Sequence, residues 1–260
     1  MNIKRTAEKL VGKLRGAPTR FVVITSGRSG SNFLVSMLTG HPDIRMKNEM
    51  LGEHVLEQAE KRDAINALGP VEFVKDYFTR RRDETAVGFK FIYFHWYDSY
   101  AKQYGVPRLP EVFPYLKGDK DIRIIHLVRR NRLRRLVSQE VARITRQHMA
   151  WEASQRVESP TIRLDVAFCE EDFKEKDDQE AWCVREFSDH PFMELEYERL
   201  SDEPAPCYKE VLKFLDVKDA PLTDRLTVRQ GVKPIRQVVE NYDELKAHFA
   251  GTRWSGCFDE

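Results

Sequence analysis

Residues 21–40 have the sequence FVVITSGRSGSNFLVSMLTG, in which a short apolar run is followed by a polar turn and a second apolar segment. The run from Phe21 to Ile24 is continuous and rich in β-branched side chains, which is typical of a buried strand in a parallel sheet. Apolar residues between Phe33 and Leu38 recur at helical spacing, and Gly40 stands where a helix is expected to end. The stretch therefore predicts a strand, a turn and a helix.

The turn after this strand contains residues suited to holding an anion. Gly27 and Gly30 allow a tight turn and a close approach of the backbone to a ligand. The N-terminus of the following helix would offer unpaired N–H groups and a partial positive charge. Arg28 adds a full charge, and the neighbouring side chains add hydrogen-bonding groups. The turn thus favours a phosphate or sulfate ligand, although a βα turn that binds nothing remains the alternative.

The turn does not match the P-loop motif G-x-x-x-x-G-K-[ST] of nucleotide hydrolases. Gly30 is followed by Ser31 and Asn32, so the motif's lysine and its magnesium-binding hydroxyl are missing from their places. An ATP-dependent phosphoryl transfer therefore lacks its usual residues here.

Further strands and helices alternate along the rest of the chain. Three apolar runs predict strands, at 86–94, 122–128 and 192–197. Helices are expected over most of 52–84 and at about 132–149, 204–216 and 239–249, and acidic residues 170–180 are expected in a solvated loop or helix face. This alternation predicts an α/β fold, with a central parallel sheet flanked by helices. Neither a repeat nor a linker is evident, so residues 1–260 are interpreted as one domain.

Composition argues against several classes of protein. The 260 residues include 43 basic and 42 acidic side chains, which gives a net charge of +1 and argues against a general affinity for nucleic acid. No apolar run approaches the roughly 20 residues of a membrane span. The four scattered cysteines have neither zinc-site nor disulfide-scaffold spacing, so reduced thiols and a cytoplasmic location are expected.

Two basic segments invite different interpretations. Residues 1–18 predict a basic amphipathic helix, which would either pack on the domain or contact an anionic membrane surface. Residues 129–138, RRNRLRRLVS, contain five arginines directly after the third predicted strand. Arg130 and Ser138 are suited to sharing a phosphate. A solvated helix face and a nucleic-acid contact are the alternatives, the latter without the aromatic residues that usually accompany it.

Together, the turn and the Arg130–Ser138 pair resemble the sulfotransferase superfamily that uses 3′-phosphoadenosine 5′-phosphosulfate (PAPS). The segment TSGRSGSNF at 25–33 resembles its 5′-phosphosulfate loop, and RNRLRRLVS at 130–138 resembles its 3′-phosphate motif R-N-P-x-D-x-x-x-S. Arg132 and Arg134 depart from the proline and aspartate of that motif. The chain is most similar to bacterial lipopolysaccharide- and nodulation-factor-type enzymes and to tyrosylprotein sulfotransferases, with matching segments over most of its length.

The resemblance implies a P-loop-NTPase-like (nucleoside-kinase-like) fold, PAPS as the donor and no metal. It implies Glu49 as the general base, with His95 as the alternative. It also implies two catalytic cations: Arg28, which would stabilise charge on the sulfonate and the 5′-phosphate, and Lys90, near the bridging oxygen of the donor. The C-terminal segment 228–260 would close over the nucleotide. The residues implied in donor binding are Ser26, Gly27, Arg28, Ser29, Gly30, Ser31, Asn32, Arg130, Ser138, Arg229, Gln230, Lys233 and Arg236.

The function expected from the resemblance is sulfuryl transfer to an acceptor hydroxyl, by in-line displacement. A carbohydrate or glycolipid is the expected acceptor, with a small metabolite also open, and nucleic acid is not expected as a partner. Two other functions remain as alternatives, a nucleotide kinase or NTPase and a non-enzymatic module that binds polyanions. The oligomeric state stays open.

Overall fold

A five-stranded parallel sheet forms the centre of the computed structural model, which describes residues 17–79, 83–147, 151–155, 157–223, 226–227 and 233–259. The strand order is β2-β3-β1-β4-β5, and every neighbouring pair is parallel. The strands are β1 (Thr19–Thr25), β2 (Ile44–Glu49), β3 (Ala86–Ile92), β4 (Arg123–Val128) and β5 (Phe192–Glu196). The α/β class and the parallel sheet are therefore as the sequence predicts.

The central strands carry the continuous apolar runs because helices cover both of their faces. Every residue of β3 is buried, as are the last five of β1 and of β4. All four predicted strands are present, and their ends lie within two residues of the predicted ones. The prediction missed β2, whose sequence IRMKNE lies at the sheet edge and is mostly half-buried. Glu49 is consequently the last residue of a strand and not part of a loop.

Eleven α-helices occur among the described residues. They are α1 (Ser31–Thr39), α2 (Glu53–Leu56), α3 (Ala59–Leu68), α4 (Pro70–Phe78), α5 (Asp98–Gln103), α6 (Val112–Gly118), α7 (Arg132–Thr145), α8 (Val166–Glu186), α9 (Tyr197–Asp202), α10 (Pro204–Phe214) and α11 (Tyr242–His248). Short 3₁₀ turns include Tyr93–Trp96, directly after β3. The acidic stretch 170–180 lies within the long helix α8.

The C-terminal part of the chain packs against α7, the helix that carries Ser138. Ile235, Val238 and Leu245 share a buried cluster with Leu133 and Leu136 of that helix. The predicted basic helix at 1–18 falls almost entirely outside the described residues. Within the described ranges, no helix is both long and apolar enough to cross a membrane.

Candidate active site

The predicted anion-binding turn connects the C-terminal end of β1 to α1. Its backbone reverses sharply, with left-handed φ angles of 65° at Arg28 and 76° at Gly30. The hydroxyl oxygens of Ser26 and Ser29 lie 2.7 Å apart within the turn. The first N–H groups of α1 follow at Ser31 and Asn32, so the geometry expected of an anion cradle is present.

Position 30 requires glycine for steric reasons as well as for its backbone angle. A Cβ atom at this position would lie 2.0 Å from the ring of Tyr197, the first residue of α9. The guanidinium of Arg129 lies over the same ring, 4.6 Å from its centroid. By contrast, a Cβ built on Gly27 meets no atom within 4 Å. The turn is therefore supported on the Gly30 side and open at Gly27.

Lys90 links this turn to the candidate base. Its ammonium donates to Asn32 Oδ1 at 2.9 Å and lies 2.8 Å from Glu49 Oε1. The side chain of Lys90 is only 2% exposed, whereas that of Glu49 is 22% exposed. The parallel register of β2 with β3 sets Glu49 directly beside Lys90. The structure thus brings together three residues that the sequence analysis singled out separately.

Burial and charge shift the pKa values of this pair in opposing ways. Burial lowers the pKa of Lys90, and the Glu49 carboxylate opposes that shift. For Glu49, burial would raise the pKa, but the charge and hydrogen bond of Lys90 outweigh burial and hold the pKa below its ordinary value. Glu49 is consequently ionised at neutral pH and has a lone pair with which to accept a proton.

His95, the alternative base, is oriented so that it cannot readily take a proton from a substrate. The backbone N–H of Ile92 donates to His95 Nδ1 at 3.3 Å, which assigns the ring proton to Nε2. That Nε2 lies 3.7 Å from Glu49 Oε2, and burial lowers the pKa of His95 to about 3. Among the described residues Nε2 has no hydrogen-bond partner. The geometry therefore favours Glu49 over His95 as the base.

Gly52, which the sequence analysis did not identify, provides space for the Glu49 side chain. A Cβ at Gly52 would lie 2.5 Å from Glu49 Cβ and 2.8 Å from Glu49 Oε2. Its backbone φ of −82° is ordinary, so the restriction is purely one of space. No sequence signal marks such a contact, because it depends on how the chain turns after β2.

The two predicted anion sites adjoin through Arg28 and Ser138. Arg28 Nε donates to the Ser138 hydroxyl at 3.1 Å, although the residues are 110 positions apart. The Arg28 carbonyl accepts from Arg129 Nη1 at 3.0 Å. Burial lowers the pKa of Arg28. The β1–α1 turn is thus tied to the turn after β4 and to α7, as expected at the carboxyl ends of neighbouring parallel strands.

Arg130 lies among carboxylates in this structure. Its Nε donates to Glu196 at 2.8 Å, and its terminal nitrogens contact Glu180 and Glu194. The structure gives Ser138 a contact with Arg28 rather than with Arg130. Phosphate binding shared by Arg130 and Ser138 therefore stays a prediction, and it requires Arg130 to exchange its carboxylate partners.

The interpretation of the arginine cluster as a solvated helix face is wrong for three of its five members, because Arg129, Arg132 and Arg135 are buried. Arg132 is 5% exposed and Arg135 is fully buried. Arg132 pairs with Glu180 at 2.6 Å, and Arg135 contacts Asp172. The acidic stretch of α8 thus pairs with two arginines of α7, which accounts for the burial of both of these charges.

The four predicted residues of the C-terminal segment divide into two groups. Arg229 and Gln230 lie outside the described residues. Lys233 is paired with Glu158 at 2.8 Å, and Arg236 with Asp243 at 2.6 Å, both on the surface. Their expected contact with the nucleotide stays a prediction. In the described part of the chain, no group of three or more His, Cys, Asp or Glu side chains is placed to hold a metal ion.

Comparisons with known proteins point to one family. The model of a family described as "Sulfotransferase family" matches residues 20–221. Nodulation protein H from Rhizobium meliloti (strain 1021) is 29% identical over 248 residues, covering 93% of this chain and 96% of that protein. Nodulation protein H from Rhizobium tropici is 28% identical over 247 residues, covering 94% of each.

A solved structure shares the fold. The sulfotransferase from Alicyclobacillus acidocaldarius superimposes with a TM-score of 0.50 at 16% identity, covering 90% of this chain and 92% of that one. This similarity supports the P-loop-like α/β fold that the sequence resemblance implies. Since the family model spans well over half of the chain, including the β1–α1 turn, Glu49 and Lys90, the protein belongs to the sulfotransferase family and is an enzyme that transfers sulfate.

Proposed function

We propose that the enzyme transfers a sulfuryl group from PAPS to an acceptor hydroxyl by in-line displacement, with Glu49 as the general base. The observation that carries this proposal is the position of Lys90. One buried ammonium contacts both Asn32, in the donor turn, and Glu49, the candidate base. The donor-binding turn and the proposed proton acceptor therefore both contact the same buried ammonium group.

The residues of the turn fit a phosphosulfate group. An anion at the start of α1 would meet backbone N–H groups and the helix dipole. Arg28 and Lys90 are cations that burial disfavours, as their lowered pKa values indicate. An anion bound between them would stabilise the charged forms that burial disfavours. The open space at Gly27 leaves room for the approach of such a group.

Each of the reacting residues has a distinct part in the transfer. Glu49 accepts the proton of the acceptor hydroxyl, whose own pKa lies far above 7. Lys90 and the N–H groups of the turn stabilise charge that develops on the bridging oxygen and the transferring group. His95 Nε2 lies 3.7 Å from Glu49 Oε2, beyond hydrogen-bond distance, so it does not occupy the lone pairs of that oxygen.

The far end of the donor is assigned to Arg130 and Ser138, which we propose hold the 3′-phosphate. The location of Ser138 beside Arg28 supports this, because it places the two phosphate sites next to one another. The segment 228–260, with Arg229, Gln230, Lys233 and Arg236, is proposed to cover the nucleotide, and its packing on α7 is consistent with that role.

A carbohydrate or glycolipid hydroxyl is the proposed acceptor, as the resemblance to the nodulation-factor-type branch implies. The proposed compartment is the cytoplasm. All four cysteines fall within the described residues, and each is a buried free thiol. Such thiols are typical of reducing compartments.

Nucleotide binding tests the donor assignment directly. Adenosine 3′,5′-bisphosphate is expected to raise the melting temperature, because a ligand of the folded state stabilises it by about 2.7 kcal/mol at 100 times its Kd. The measurement is a thermal-shift titration with this nucleotide, and with ATP plus Mg²⁺ as the comparison. Stabilisation by ATP plus Mg²⁺ alone would contradict the proposal.

Arg130→Ala and Ser138→Ala are each expected to weaken binding of adenosine 3′,5′-bisphosphate by about tenfold or more, since a charge-assisted hydrogen bond contributes roughly 1.5–3 kcal/mol. Isothermal titration calorimetry gives the affinities. Arg143→Ala is the matched control, because Arg143 lies further along α7 and its side chain is 70% exposed. Affinities equal to that of the unsubstituted enzyme would remove the second phosphate site from the mechanism.

A further inference from the structure

A cavity of about 480 Å³ lies between the 3₁₀ turn Tyr93–Trp96 and one face of α8. None of the steps described above uses it. Four aromatic side chains contribute to its lining, and the α8 residues contribute three carboxylates, an amine and an amide. The lining consists of Tyr93, Trp96, Tyr97, Glu171, Lys174, Glu175, Asp178, Gln179 and Trp182.

The aromatic walls are held in place by stacking. Trp96 stacks on Phe91 of β3 with ring centroids 4.3 Å apart, and it lies 5.3 Å from the ring of Trp182. The Tyr93 hydroxyl is hydrogen-bonded to His126 Nε2 at 2.6 Å. These contacts make the aromatic surface rigid before any ligand arrives, which reduces the entropy lost on binding.

Polar groups in the cavity are predominantly acceptors. Gln179 Nε2 donates to Tyr97 Oη at 3.0 Å and to Glu175 Oε1 at 2.8 Å. The Gln179 carbonyl oxygen is shielded from water and has no hydrogen-bond partner among the described residues. Because water does not reach this oxygen, the acceptors open to a ligand are the exposed carboxylates. Glu171, Glu175 and Asp178 add further acceptor oxygens along the same helix face.

The cavity adjoins the candidate active site through one short segment. Trp96 and Tyr93 line the cavity, whereas His95, between them in the same 3₁₀ turn, faces Glu49. The turn begins directly after Ile92, the last residue of β3, and Lys90 precedes Ile92 by two positions on that strand. A molecule that occupies the cavity therefore lies against the 3₁₀ turn that also carries His95, the neighbour of Glu49.

We propose that this cavity is the acceptor subsite and that it binds an uncharged pyranose ring of a saccharide. The inference rests on the proposed function, of which it specifies the acceptor. Aromatic faces pack against the apolar face of a sugar ring, and carboxylate oxygens accept from its hydroxyls. Three carboxylates against the one amine of Lys174 give the lining a net negative charge, which disfavours acidic sugars through repulsion.

The test measures saccharide binding separately from sulfate transfer. The probes are neutral tetrasaccharides built from glucose, mannose or N-acetylglucosamine, together with anionic tetragalacturonate and cationic tetraglucosamine. Binding is followed through tryptophan fluorescence, since Trp96 and Trp182 line the cavity, in the presence of adenosine 3′,5′-bisphosphate. At least one neutral tetrasaccharide is expected to change the fluorescence, and tetragalacturonate is expected to leave it unchanged.

Two pairs of variants localise the binding. Glu175→Lys is expected to weaken binding of the neutral tetrasaccharide by about tenfold or more. Glu170→Lys is the control and is expected to leave this binding unchanged, because it alters an exposed carboxylate outside the cavity lining. Tyr97→Ala is expected to weaken it similarly, with Phe168→Ala as its control. Tyr97 is 41% and Phe168 is 42% exposed, so neither substitution removes a core residue.

The outcomes separate this inference from the donor assignment. Loss of fluorescence response in the cavity variants, with nucleotide binding intact, supports the subsite. An absence of response to every neutral tetrasaccharide, a response to tetraglucosamine alone, or unchanged affinity in the cavity variants would overturn it, even if the nucleotide still binds. Failure of adenosine 3′,5′-bisphosphate to stabilise the enzyme would instead contradict the proposed donor.

Discussion

Replacing Glu49 with glutamine is expected to lower kcat by about 100-fold or more, the usual contribution of a general base. Glutamine keeps the shape of the side chain, and its amide oxygen can still accept the hydrogen bond of Lys90, which is 2.8 Å from Glu49 Oε1. The substitution therefore removes proton acceptance while it preserves the local packing. Turnover is measured with radiolabelled PAPS and the acceptor that supports the fastest transfer.

Two comparisons make the Glu49 result specific. The affinity for adenosine 3′,5′-bisphosphate is expected to stay unchanged, because Glu49 contacts Lys90 and His95 rather than the donor turn. Glu57→Gln is the matched control and is expected to retain full turnover, because Glu57 is an exposed carboxylate directly after α2. A Glu49→Gln enzyme with near-normal kcat would show that another group accepts the proton.

Replacing Lys90 with methionine is expected to lower kcat by roughly 10²–10³-fold, as the loss of one transition-state donor does in other enzymes. The same change should alter the pH dependence of kcat/KM. In the unsubstituted enzyme Lys90 holds the pKa of Glu49 below its ordinary value, whereas burial acts in the opposite direction. Without Lys90 only the histidines oppose burial, so the pKa of Glu49 rises and the acid limb of the profile moves to higher pH.

The pH profile distinguishes this role from simple destabilisation. Lys47→Met, at an exposed position on β2, is the matched control and is expected to leave both kcat and the acid limb unchanged. Thermal melting of the two variants reports whether either substitution disturbs the fold. A Lys90→Met enzyme that loses activity with no shift of its acid limb would refute the proposed electrostatic link between Lys90 and Glu49.

The central strands and the donor turn were predictable because the residues that determine them are neighbours in the sequence. The apolar run at Phe21 to Ile24 is continuous and β-branched, as in a strand that is covered on both faces. Gly30 permits the left-handed backbone of the turn at that position. The edge strand β2 was missed for the corresponding reason. IRMKNE is half-exposed and mixes polar with apolar residues, so it lacks the continuous run of a buried strand.

Contacts between distant segments were not predictable from one sequence. The Glu49–Lys90 pair depends on the register of β2 with β3, and the Arg28–Ser138 contact joins the β1–α1 turn to α7 across 110 positions of sequence. The resemblance implied that these residues serve one donor and one transfer step, but it did not show which of them contact one another. Likewise, the assignment of the His95 proton depends on the Ile92 backbone N–H, which only the folded turn brings to the ring.

The position of Tyr197 over Gly30 means that these two sites should not vary independently among related enzymes. Any side chain at position 30 would collide with the aromatic ring and would also strain a left-handed backbone. A relative with alanine at position 30 is therefore expected to have a smaller residue in place of Tyr197, and with it to lose the ring on which Arg129 rests. The pair offers a simple criterion for deciding which homologues preserve the same donor loop.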